Sequence, residues 1–132
     1  MANKMIRVLL AKSILDAHDR GIRYLIQLIR DAGMEVIFTR YALVDEVIKQ
    51  AMEEDVQVVG LAFYGSGLMH DSTRLLQLKK ENKLDDLLYI VGGTISEVER
   101  EKLLEMGAAG VFQPNIGIPD DIVTFIKERV GV

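Results

Sequence analysis

The sequence contains no cysteine and only two histidines in 132 residues. Without cysteine there is no disulfide, no thiol nucleophile and no thiolate metal site. His18 and His70 are left as the only neutral-pH titrators and the only imidazole ligands. Long apolar runs are missing too: none approaches the ~20 residues of a membrane span. Met1–Lys4 is too short and too polar to read as a signal peptide. Excess positive charge is also absent, with 20 acids against 16 bases and a formal net charge of −4. Such a surface does not attract nucleic acid as a whole. What is present is an ordinary globular balance, 49% apolar and 27% charged, which excludes disorder. The length suits a single domain over residues 1–132 and falls well short of the roughly 250 residues of a TIM barrel. The expectation is a cytoplasmic protein with neither nucleic acid nor membrane as partner.

The apolar pattern alternates between two forms. Ile6–Ala11, Val56–Ala62 and Leu87–Val91 are short, nearly continuous apolar runs, the last followed by Gly92-Gly93. Runs of this length, rich in branched residues, read as strands buried on both faces. Glu35–Arg40 and Gly110–Phe112 add two more. Between them, apolar residues recur with helical spacing: Ile22 to Ile29 up to Gly33, Val44 to Ala51, Leu75 to Leu78, Val98 to Met106 up to Gly107, and Ile122 to Val130. Ser96 with Glu99 reads as a capping box, and Pro119-Asp120 as a helix start. Five strands alternating with five helices predict a flavodoxin-like (Rossmann-like) doubly wound α/β fold, with a parallel sheet in the order 2-1-3-4-5. Ligands of such sheets bind outside the carboxyl ends of the strands, at the switch point between the first and third. That directs attention to the segments after Ala11, Ala62 and Val91.

The first of these, Lys12–Gly21, is dense in ionisable groups and holds Asp16-Ala17-His18-Asp19. A carboxylate that accepts the proton of one imidazole nitrogen fixes the tautomer and raises the basicity of the other. Asp16 is the natural candidate for His18, and Lys12 could neutralise Asp16. The same residues also suit a solvated loop with helix-capping acids. Gly21 would admit a close ligand at the helix start. The second segment, Phe63-Tyr64-Gly65-Ser66-Gly67-Leu68-Met69-His70, combines glycines with apolar groups. It suits either backbone approach to a ligand or a plain glycine turn, and His70 reads as an ordinary helix-start residue. The third, Gly92-Gly93-Thr94, suits an open shelf or a turn with positive φ. Gln113–Gly117 lies at the same rim. Glycine-rich turns clustered at one end suggest a large ligand lying across the sheet.

Competing chemistries lack their residues. There is no Ser/Thr/Gly phosphate loop after the first strand and no Walker loop. A receiver domain needs an acidic pair where Lys12 stands and an aspartate where Ala62 stands. Ser66 is not in a Gly-x-Ser-x-Gly elbow.

Asp16-x-His18-x-x-Gly21, with Gly92-Gly93 after the fourth strand, resembles the cobalamin-binding domain of adenosylcobalamin-dependent mutases. The stretch Ala11-Lys12, then Asp16-Ala17-His18-Asp19-Arg20-Gly21, is most similar to methylmalonyl-CoA mutase and its acyl-CoA mutase relatives. Asp31–Ile37 and Pro119-Asp120 continue the likeness, which covers essentially the whole chain. The resemblance implies adenosylcobalamin, a cobalt corrinoid, with His18 as the lower axial ligand in place of the cofactor's own base. Asp16 would hydrogen-bond the distal imidazole nitrogen, and Lys12 would contact Asp16. It also implies cofactor contacts from Ala17, Asp19, Arg20 and Gly21, from Ala62, Phe63, Tyr64, Gly65 and Ser66, and from Gly92, Gly93 and Thr94. The nucleotide tail would thread beside the strands ending at Ala11 and Ala62. No catalytic residue falls on this chain, which would be inactive alone. A large TIM-barrel subunit would bind the acyl-CoA.

The family's usual Ser-x-Leu aligns with Ala62-Phe63-Tyr64, so the serine that would bond the buried benzimidazole is missing. Ser66 offers a substitute hydroxyl a few residues on. Tyr64 could narrow the tail channel, and the usual glycine before the histidine is Ala17. The expected function is the small subunit of an acyl-CoA mutase, methylmalonyl-CoA mutase foremost, with Phe63, Tyr64, Leu68 and Met69 forming part of the docking face. The alternatives are a glutamate mutase-like small subunit, of which Tyr64-Gly65-x-Gly67 is reminiscent, a non-enzymatic corrinoid carrier or sensor, or a degenerate domain that has lost cobalamin.

Overall fold

A computed structural model describes residues 5–17, 20–113 and 119–130. The elements follow in strict alternation: β1 (Arg7–Ser13), α1 (Arg20–Asp31), β2 (Glu35–Tyr41), α2 (Val44–Glu53), β3 (Val58–Phe63), α3 (Leu68–Glu81), β4 (Leu88–Gly93), α4 (Glu97–Met106), β5 (Gly110–Phe112) and α5 (Pro119–Val130). The strands form one parallel sheet in the order β2-β1-β3-β4-β5, as the alternation predicts.

Strand side chains alternate between the faces of a sheet, and here both faces are covered. Val8 and Leu10, Val36, Val58 and Ile90 pack with Ile22 and Ile29 of α1 and Ile122 and Ile126 of α5. Leu9, Ala11, Val59, Leu61, Phe63, Tyr89 and Val91 pack on the other face with α2, α3 and α4, through residues such as Val47, Leu75 and Leu103. Continuous apolar runs are the consequence of this double burial. Ser96 caps α4 as expected: its Oγ accepts from the Glu99 N–H at 3.2 Å, and its own N–H donates to Glu99 Oε1 at 2.9 Å.

Two of the strand ends that run past their expected bounds bear on the site. β1 runs two residues beyond Ala11, pairing Lys12 with Arg40 and Ser13 with Tyr41. Lys12 is thus a strand residue with a fully buried side chain rather than part of a charged loop. β4 likewise incorporates Gly92 and Gly93, which pair with Ala62 and Phe63. α3 starts at Leu68, well before the Leu75–Leu78 stripe, because Gly67 takes the left-handed conformation (φ 101°) that opens it.

Candidate functional site

At the carboxyl end of the sheet, between the strands and the α1/α5 layer, lies a cleft of about 190 Å³. Its floor is made where the pleat turns small residues toward the helices. Gly60 pairs with Leu10 on one side and Ile90 on the other, and Gly92 pairs with Ala62 and Phe112. A Cβ at Gly60 would lie 2.8 Å from Leu10 Cδ2 and 3.2 Å from Ile90 Cγ1. The side chains of Leu10 and Ile90 thus close in over the glycine, and a larger residue there would have to displace them. Ile22, Leu25 and Ile122 form the roof, while Gly21, Tyr24, Tyr64 and Gln113 also line the cleft. The floor is apolar, and Gln113 donates its side-chain N–H to the Ile95 carbonyl at 2.8 Å.

The mouth carries the charge. Lys12 Nζ stands 3.5 Å from Asp16 Oδ1, with the two side chains 0% and 15% exposed. Asp16 Oδ2 accepts from the Tyr64 backbone N–H at 3.3 Å, and the Asp16 carbonyl accepts from Arg40 Nη1 at 3.0 Å. The Lys12 ammonium also lies 5.2 Å from the Tyr64 ring centroid, within cation–π range. Tyr64 reaches across to Gly21, where a Cβ would meet its Oη at 2.6 Å. The ends of β1 and β3 and the start of α1 are thereby tied together around one carboxylate. Desolvation makes a buried ammonium costly unless it is paired, so this lysine and aspartate fix each other's place. A carboxylate has about four lone-pair sites and so can accept several hydrogen bonds at once.

The expected site residues divide into three groups. Lys12, Asp16, Gly21, Ala62, Tyr64, Gly92 and Gly93 come together at the mouth and floor of the cleft. Phe63 does not: it is buried in the opposite-face core, as is Leu68, so neither presents apolar surface for docking. Ala17, Arg20, Gly65, Ser66 and Thr94 are exposed and do not line the cleft. Ser66 thus does not replace the missing serine at position 62. Thr94 contributes its backbone N–H to the Phe63 carbonyl at 2.8 Å. His18 and Asp19 lie outside the described residues, as do Pro114–Gly117. His70 sits on α3 with its side chain 88% exposed and its Nδ1 3.1 Å from Asp71 Oδ1.

The two glycines after the expected end of β4 have different tasks. Gly92 faces the cleft. Gly93 has φ 124°, and a Cβ there would fall 1.8 Å from the Phe63 carbonyl oxygen. It is a packing glycine, required by the close approach of β3. Sequence reasoning missed Gly60, Leu10, Tyr24 and Ile90 as cleft residues, while Gln113 belongs to the rim loop it had singled out. Gly60 had a signal, since a lone glycine inside a strand often marks a close backbone or ligand approach.

An apolar cleft at the switch point of a 2-1-3-4-5 parallel sheet, beside a lysine–aspartate pair, marks the chain as a flavodoxin-like α/β domain. Residues 6–116 match the family model described as the B12 binding domain. The chain belongs to that family. It is 33% identical over 128 residues to the 2-hydroxyisobutanoyl-CoA mutase small subunit of Aquincola tertiaricarbonis, covering 94% of each chain. It is 38% identical over 113 residues to the pivalyl-CoA mutase small subunit of Xanthobacter autotrophicus, covering 83% of this chain and 74% of that one. Among solved structures, a cobalamin-binding protein from Desulfitobacterium hafniense DCB-2 shares the fold, with a TM-score of 0.79 at 22% identity over 96% of this chain and 59% of that one.

Proposed function

We propose that residues 1–132 form one cobalamin-binding domain that serves as the small subunit of an acyl-CoA mutase. In this reading His18 would hold the cobalt, Asp16 would accept a hydrogen bond from its other ring nitrogen, and Lys12 would neutralise Asp16. The observation that carries it is the Asp16 carboxylate, held between Lys12 Nζ and the Tyr64 N–H at the mouth of the slot. A carboxylate so placed orients an imidazole and strengthens it as a donor to cobalt. The slot fits the displaced base of the cofactor, being flat, apolar and open at the carboxyl end. Gly60, Ala62 and Gly92 would hold that base, with Tyr64 and Gly21 at its entrance. Adenosylcobalamin, when bound, supplies a cobalt–carbon bond whose homolysis begins a radical carbon-skeleton rearrangement.

The chain's own contribution is to bind and orient the cofactor and to keep water from its lower face. The acyl-CoA would sit on a partner large subunit with a TIM barrel, and the pair would work in the cytoplasm. Among the described residues no helix is long and apolar enough to cross a membrane. The names of the two relatives add 2-hydroxyisobutanoyl-CoA and pivalyl-CoA to methylmalonyl-CoA as substrates to test.

The test is an electron paramagnetic resonance spectrum of the protein with cob(II)alamin labelled with ¹⁵N in its benzimidazole. Axial coupling to an unlabelled nitrogen, lost in His18→Ala and kept in His70→Ala, is the expected result. Coupling to the labelled base, or no binding, would overturn the reading.

A further inference from the structure

The slot carries information about which lower base it accepts. Its floor consists of Gly60, Ala62 and Gly92, walled by the aliphatic side chains of Leu10 and Ile90. Ala62 points into it, since it packs with the α1/α5 layer while its neighbours Leu61 and Phe63 pack on the opposite face. No side-chain hydroxyl stands at position 62 to meet a ring nitrogen. Ser66, the nearest serine in sequence, is exposed and does not line the slot. The polar side chains that line the cleft are Tyr24, Tyr64 and Gln113, which come from α1 and from the ends of β3 and β5. Burying a ring nitrogen beside a methyl group forfeits its hydrogen bond to water, whereas a carbocyclic ring has none to lose.

We infer that this cleft selects its cofactor by shape and apolar contact alone at residue 62. Cobamides whose lower base is a phenol would then be ligands as suitable for the slot as those with a benzimidazole. The inference rests on the proposed cobalamin function and deepens it.

Absolute affinities do not isolate the effect, because a phenolic base does not have to leave cobalt before it enters the slot. The comparison is therefore made on the change caused by Ala62→Ser. Dissociation constants for a benzimidazole cobamide and a phenolic cobamide are measured by absorbance titration on the wild type and on Ala62→Ser. The serine hydroxyl gains a partner with the first cofactor and is buried without one with the second. The ratio of the two constants should shift about tenfold in favour of benzimidazole. Ala62→Val, which only fills space, should weaken both cofactors alike and confirms that residue 62 faces the base.

A ratio unmoved by Ala62→Ser within about twofold, with both cofactors bound by the wild type, overturns the selectivity inference and leaves the cobalamin reading standing. Weakening of one cofactor alone by Ala62→Val also overturns it. Failure of the wild type to bind either cofactor overturns both.

Discussion

Substituting the adjacent glycines Gly92 and Gly93 by alanine separates scaffold from site. At Gly93 the backbone sits at φ 124°, a conformation that costs an L-residue about 1–2 kcal/mol. The new Cβ would also lie 1.8 Å from the Phe63 carbonyl oxygen and 2.9 Å from the Phe63 nitrogen. That carbonyl accepts from the Thr94 N–H at 2.8 Å, so β3 and β4 must part where they are tied. Relief of such a clash costs roughly 1–3 kcal/mol more. The expected loss for Gly93→Ala is about 2–5 kcal/mol, a large share of the roughly 5–15 kcal/mol that holds a domain folded.

Gly92 differs in both respects. Its φ is not positive, and a Cβ would meet the Phe112 carbonyl oxygen at 3.3 Å, a contact relieved by a few tenths of an ångström. The backbone entropy that alanine saves in the unfolded chain offsets that strain, so Gly92→Ala should leave stability within about 1 kcal/mol of wild type. Its methyl group enters the slot, however, and should weaken cobalamin binding about tenfold. Urea melts followed by circular dichroism measure the first quantity, and absorbance titration the second. A Gly93→Ala protein within about 1 kcal/mol of wild type, or equal destabilisation by the two substitutions, would refute the division of labour.

Lys12→Met leaves the Asp16 carboxylate, only 15% exposed, without the ammonium beside it and should cost about 3–5 kcal/mol; it should also weaken cobalamin binding by about 10- to 100-fold through a loosened Asp16. Chemical denaturation beside a cofactor titration shows both. Ser96→Ala removes the cap of α4 and should cost about 1 kcal/mol without altering cofactor affinity, measured in the same way. Tyr41 and Tyr89 are both pushed well above the ordinary tyrosine value of 10.0, first by burial and, at Tyr41, next by the Asp71 carboxylate on its hydroxyl. The neutral phenols are favoured in the folded state, so their contribution is fully present below pH 10 and declines as the pH rises beyond it. Thermal melts between pH 8 and 11 should show that decline, and Tyr41→Phe should flatten it.

The fold was legible because double burial of a parallel sheet writes itself as unbroken apolar runs, and α1 and α4 carry their stops in Gly33 and Gly107. The strand ends were not. Lys12 looks like the first residue of a charged loop because a sequence shows its charge but not the carboxylate and aromatic ring that fold back over it. Only β1 pairing with Arg40 and Tyr41 of β2 carries that lysine inside. Gly92-Gly93 looks like a turn for the complementary reason. Glycine signals freedom in the unfolded chain, whereas here each glycine answers to an atom far off in sequence, the backbone of Phe63 or of Phe112.

The same limit divides the site. Asp16 and Lys12 could be paired by their opposite charges in one short segment, and the structure brings them within 3.5 Å. Phe63 and Tyr64 could not be told apart by composition, because strand alternation decides which enters the slot and which enters the core. Tyr64 stands over the cation that holds Asp16 and against the glycine that opens α1. On the proposed reading, a base entering the slot would pass the residue that also buttresses the carboxylate, and seating of the tail would be coupled to orientation of His18. Tyr64→Leu should loosen that coupling. Cobinamide, which lacks the nucleotide tail, should then bind the variant about as it binds wild type, while intact cobalamin loses affinity. Equal loss for both ligands would show that Tyr64 supports Asp16 alone, and the tail would have no part in ordering the site.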